Sequence, residues 1–176
     1  MKKLLVIMLT MLSVSSYAKS TFVDGPVIFG YGKHATVKQD YVLEKNAYFK
    51  VAFDISEQGE HSVVNRNIDT LARFINMHVA NGVLLNNIDL ALVVHGKAGF
   101  DLLNNIEYKK KFSQNNPNTK LLTKLLKNKT KIILCGQSAA YYKIENNQLE
   151  DGVQMALSAM TAHTMLQSQG YSLNPF

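Results

Sequence analysis

DLALVVHG, residues 89–96, is the stretch that decides the fold. From Leu90 to Val94 every side chain is apolar, with no alternation of polar and apolar positions. A strand with one face in water alternates. A strand covered on both faces reads as a continuous hydrophobic run, and such strands belong to parallel sheets flanked by helices. Its neighbours extend the pattern. Upstream, Tyr48–Ile55 (YFKVAFDI) is β-branched and aromatic and ends in a polar loop; downstream, Lys131–Cys135 (KIILC) is a third apolar run. Val153–Ser158 and Tyr171–Asn174 read as two further strands.

Helical patterns separate these strands. Val64, Ile68, Leu71, Ile75 and Val79 recur at spacings of 4, 3, 4 and 4, which is one helical face, and Gly82 is its stop. Residues 99–112 predict a helix that buries Leu102, Leu103 and Ile106. Asn116-Pro117-Asn118 reads as a helix start, with Asn as the cap and Pro at the first helical position, and Leu121, Leu122, Leu125 and Leu126 form the stripe that follows. Residues 159–169 predict a last helix, stopped by Gly170. Strands alternating with crossover helices give an α/β fold: a mainly parallel sheet of about five strands with helices on both faces, a three-layer sandwich.

The flanking segments place the chain. Lys2 and Lys3 precede an apolar run from Leu4 to Val14, and Ser16-Tyr17-Ala18 puts small residues at −3 and −1 of a cleavage site. This reads as a signal peptide over residues 1–18 and an exported, periplasmic protein. The run is too short for a spanning helix, which needs roughly 20 apolar residues, and no later segment replaces it. Residues 19–46 read as an N-terminal arm or peripheral hairpin and residues 47–176 as one α/β domain. The formal charge of +6 falls to +4 when Lys2 and Lys3 leave with the leader, and Lys109-Lys110-Lys111 reads as a solvated face, so nucleic acid is not an expected partner.

Cys135 is the single cysteine, so no intramolecular disulfide forms, and a lone thiol in an oxidising compartment is buried, modified, paired with another chain or used. In parallel sheets, binding chemistry collects at the C-terminal strand ends. That rule gathers Asp54, His95-Gly96-Lys97 and Cys135-Gly136-Gln137-Ser138 at one edge. A helix start after Cys135 favours its thiolate. Simpler roles compete: Cys135 as a packing residue, His95 as a turn residue, Lys97 as a solvated side chain, Asp54 as a loop cap. His34, His61, His78 and His163 show no metal-ligand spacing with one another or with Cys135, so neither a metal nor another cofactor is expected.

The blocks Leu92-Val93-Val94-His95-Gly96, Asn116-Pro117-Asn118, Ile133–Ser138, Leu157–Thr161 and Leu166–Tyr171 resemble the DsrE/DsrF-like family, and most closely its exported bacterial branch. The resemblance implies the parallel α/β sheet and a homo-oligomer, a trimer or hexamer. It also implies that Cys135 matches the cysteine that accepts and passes on sulfane sulfur in the sulfur-relay members.

The leading expectation is therefore a thiol-based sulfur carrier or sulfurtransferase-like protein. Cys135 is the nucleophile and His95 its partner, with Gly96, Lys97, Gly136, Gln137, Ser138 and Asp54 around the substrate and a donor or acceptor of sulfur as partner. The alternative is a non-catalytic oligomeric protein of the same fold that holds a small ligand beside an unreactive Cys135.

Overall fold

The computed structural model describes residues 21–44 and 46–174, so the expected leader lies outside the described residues. In chain order the elements are β1 (Phe22–Val23), β2 (His34–Ala35), β3 (Phe49–Ile55), α1 (Arg66–Ala80), β4 (Ile88–Val94), α2 (Asn105–Phe112), α3 (Thr119–Lys127), β5 (Lys131–Cys135), α4 (Gly136–Tyr142), β6 (Gln154–Ala156), α5 (Ala159–Ser168) and β7 (Ser172–Asn174). Strands β3 to β7 form one sheet in the order β6-β5-β4-β3-β7, and every pairing in it is parallel. β4 is the central strand, as its unbroken apolar run predicts, and Leu90 to Val94 are at most 2% exposed.

The pleat divides the sheet into two unequal faces. Val51, Phe53, Leu90, Leu92, Ile132 and Leu134 face a thick layer with Ile68, Leu71 and Ile75 of α1 and Leu121, Leu122 and Leu125 of α3. Tyr108 of α2 and Ala139 of α4 join that layer. Each fully buried side chain of this size contributes roughly 1.5–3 kcal/mol relative to exposure, so α1 and α3 are held mainly by this stripe. The other face carries the smaller Ala52, Ala91 and Val93 and is met by α5 through Ala162 and Leu166. Helices thus cover both faces, with α5 alone among the described helices on the thin side.

Three local readings change. Residues 99–112 are not one helix: a tight 3₁₀ stretch, Gly96–Leu102, ends at the extended Leu103, and α2 starts afresh because Asn104 accepts the Glu107 N–H. Ile106 is then 68% exposed, and Tyr108 takes the buried place expected of it. α3 starts at Thr119 rather than at Pro117, because the buried Asn116 side chain donates to the Asp101 and Leu103 carbonyls and accepts the Asn118 N–H, which locks a turn first. β6 is shorter than residues 153–158, since Ser158 leaves the sheet to cap α5.

The segment before β3 forms a short antiparallel pair, Phe22–Val23 with His34–Ala35. Its loop is tied to α1 by buried Asn76, whose carbonyl accepts from Ile28 N at 2.8 Å and whose amide donates to Tyr31 O at 2.9 Å. No helix among the described residues is long and apolar enough to cross a membrane.

Candidate functional site

Parallel register brings three strand ends level. Val94 pairs with Ile55 on one side and Leu134 on the other, so Ser56, His95 and Cys135 are the next residues on their three strands. Cys135 pairs with Ala156 of β6, which adds the β6–α5 turn to the same edge. One residue back, Asp54 lies opposite Val93, on the thin face that α5 covers. Asp54, His95, Cys135, Gln137, Ser138, Ser158, Ala159, Met160 and His163 line one cavity of about 350 Å³.

Cys135 is buried, at 6% exposure, and stands immediately before α4. Gly136 makes that placement feasible. A Cβ there would lie 2.5 Å from the Ala156 carbonyl oxygen, so only glycine lets the chain turn from β5 into α4 beneath the β6–α5 connection. Gln137 donates its side-chain amide to Leu157 O at 3.2 Å and fastens the two turns together. The Ser138 hydroxyl accepts the Gly96 N–H at 2.9 Å, which leaves its own proton for the sulfur. Gly96 holds that position with φ +57, a conformation that favours glycine.

Burial pushes the Cys135 thiol up, but the N–H and hydroxyl of Ser138 and the N–H groups of Ala159 and Gln137 together outweigh it. The net effect holds the thiol below its ordinary value. No donor closes a full side-chain cap of α4 onto the sulfur, so the pull is spread over several groups from two helix starts. An incoming electrophile therefore meets a thiol poised to ionise.

The second group at the site is a shared carboxylate. Asp54 accepts from His95 Nε2 at 3.0 Å on one oxygen and from His163 Nε2 at 2.6 Å on the other. Asp54, His95, Gln137 and Ser138 thus line the cavity with Cys135, whereas Gly96 and Gly136 shape it through the backbone. Lys97 is exposed and lies outside the lining. No group of three or more His, Cys, Asp or Glu side chains among the described residues is arranged to hold a metal ion. His163, Ser158 and Met160 were missed in the sequence. The usable signal was that His163 sits with Ala159, Ala162 and Leu166 on the stripe of α5 that faces the sheet, where a titratable residue has no packing reason to be.

A family model for DsrE/DsrF-like proteins matches residues 62–175. The chain belongs to the DsrE/DsrF-like family. The match runs from just before α1 through β7 and contains His95, Cys135 and His163, while Asp54 precedes it. Among solved structures, this family member is similar to MTH1491 from Methanobacterium thermoautotrophicum, a protein described as of unknown function, at 14% identity and a TM-score of 0.56. It is also similar to the ychN protein from E. coli, at 16% identity and a TM-score of 0.51. Each alignment covers 73% of this chain and 99% of the other. At these identities the likeness speaks for the fold. Comparison with curated proteins finds no match.

Proposed function

We propose that this DsrE/DsrF-like protein is an exported, periplasmic sulfur carrier with sulfurtransferase-like activity through Cys135. The observation that carries the reading is a single thiol held below its ordinary pKa inside a cavity that two histidines also line. In the proposed step the Cys135 thiolate attacks the outer, sulfane sulfur of a donor such as thiosulfate. A bond forms between Sγ and that sulfur, the S–S bond to the sulfonate group breaks, and its electron pair leaves with sulfite. The resulting persulfide carries the negative charge of the thiolate it replaces, so the donors from Ser138, Gln137 and Ala159 suit both forms. An acceptor thiolate then attacks the outer sulfur and releases Cys135.

Intact-mass measurement after incubation with thiosulfate or polysulfide tests this. The expected result is one added sulfur atom, absent in Cys135→Ser and removed by a thiol acceptor. A folded protein that gains no sulfur, and whose cysteine resists alkylation until denaturant is added, overturns the carrier reading and leaves a ligand-binding protein in which Cys135 only lines the pocket. Recovery of the mature chain from the periplasmic fraction, without residues 1–18, tests export.

A further inference from the structure

Asp54 is the feature that sulfur chemistry at Cys135 does not by itself require. An ionised carboxylate only accepts hydrogen bonds, so both Nε2 atoms that meet it carry hydrogen. Asp54 therefore fixes two rings at once. Each is held in the tautomer whose remaining nitrogen, Nδ1, is the site that gains a proton on the acid side. Neither Nδ1 has a protein hydrogen-bond partner among the described residues. His163 is the more enclosed ring, with 18% of its side chain exposed against 37% for His95.

The charge that this unit presents is set by protonation alone. It carries one negative charge when both rings are neutral, none when one ring is protonated, and one positive charge when both are. The elements around it offer little to offset the change. β3 contributes Asp54, the turn after β4 His95, the β5–α4 junction Cys135, and α5 His163; the other lining side chains, Gln137, Ser138, Ser158, Ala159 and Met160, are uncharged. Lys97 lies outside the lining. Protonation of either ring therefore changes the field at the Cys135 sulfur through groups other than the thiol itself.

We propose that Asp54, His95 and His163 form a charge switch for the Cys135 cavity: protonated, the pair draws a small anion onto the thiolate, and deprotonated, it turns that anion away. The anion is the sulfur donor if the sulfur-carrier reading above, on which this identification rests, is right. The imidazolium acts by its charge, and no proton moves in the transfer step. His163 becomes a second anion-recruiting residue, on a helix remote in sequence from the other two.

A pair of alkylating probes of opposite character isolates the switch. Iodoacetate is an anion and iodoacetamide is neutral; both consume the same thiolate, so the ratio of their rates at Cys135 cancels thiol ionisation and reports local charge. Rates are measured on the folded mature chain from pH 5 to 9, with circular dichroism to confirm that variants fold. The ratio is expected to rise toward low pH by about tenfold, the scale set by a unit charge a few ångströms away at an intermediate dielectric. The rise should shrink in both H163Q and H163N and vanish in the double variant H95Q/H163Q, which has neither ring to charge. A ratio that is flat with pH in the wild-type protein overturns the switch, and a rise that survives unchanged in both His163 variants overturns the part assigned to His163. A pH-dependent ratio in a protein that takes no sulfur from thiosulfate or polysulfide supports the switch while the sulfur-transfer reading fails.

Discussion

At the scale of single residues, Cys135 shows how a buried thiol can be reactive. Desolvation alone would raise it and make it an inert packing group. The donors gathered by two helix starts reverse that outcome, and Ser138 is the one that supplies both its backbone and its side chain. Replacing Ser138 with Ala removes the hydroxyl and strands the Gly96 N–H that it accepts. The alkylation–pH curve of Cys135 should then move upward, in favour of the neutral thiol. Stability follows the same sign. Because folding lowers this group, its contribution is present above the unfolded thiol value and is lost as pH falls through the folded one. The sequence made Cys135, His95 and Asp54 legible because each ends an apolar strand. For His163 it offered only a place on the sheet-facing stripe of α5, and that place names no partner until the helix is known to lie across Asp54.

At the scale of elements, strands were easier to read than the joints between them. β4 announces itself by composition, whereas the α1 and α3 starts depend on asparagines with partners far away in sequence. Asn65 caps α1 by accepting the Asn67 N–H, donates its amide to Asp101 Oδ2 at 2.7 Å, and gives its own N–H to Asn118 Oδ1 at 2.8 Å. Asn118 in turn reaches Asn116, which donates to the Asp101 and Leu103 carbonyls. One polar chain thus joins the starts of α1 and α3 to the 3₁₀ stretch after β4. Burial raises the Asp101 carboxyl, and the donors from Asn65 and Gly59 only partly offset it. Its contribution to stability is therefore full below the unfolded carboxyl value and declines as pH rises through the folded one. Asn65→Ala should cost about 3 kcal/mol at pH 7, combining a lost cap of about 1 kcal/mol with a buried carboxylate deprived of a donor. The loss should narrow below about pH 4, where a carboxyl is neutral in the unfolded chain as well. Urea unfolding at both pH values measures it, and an equal loss at the two would mean that Asp101 is not the group affected.

At the scale of the whole molecule, the sheet is covered unequally. The thick side carries most of the helices, while on the thin side α5 leaves apolar surface in the open: Leu157, Met160 and Met165 are 72%, 77% and 56% exposed. Beside them lies a cavity of about 400 Å³ lined by Ile133, Met155, Ala156 and Leu166 as well as Leu157 and Met165. Scattered exposed apolar side chains are normal on a monomer, but several grouped around an apolar recess mark a contact surface. Met160 lies on the other flank of α5 from Met165 and lines the Cys135 cavity, so a partner that spans the outer surface of α5 borders the site. The occupant we expect is a second copy of the chain, giving a homotrimer or a multiple of it. Covering side chains of this size is worth roughly 1.5–3 kcal/mol each, and Met adapts to an imperfectly matched partner. Light scattering at micromolar concentration should therefore report an oligomer for the mature protein. Leu157→Glu with Met165→Glu should give a folded monomer, since both side chains point into solvent in the single chain and a carboxylate there disturbs only association. In that monomer the alkylation rate of Cys135 should also change, because the rim at Met160 is left uncovered. A wild-type chain that runs as a monomer, or a double variant that stays associated, would assign the α5 face to some other role.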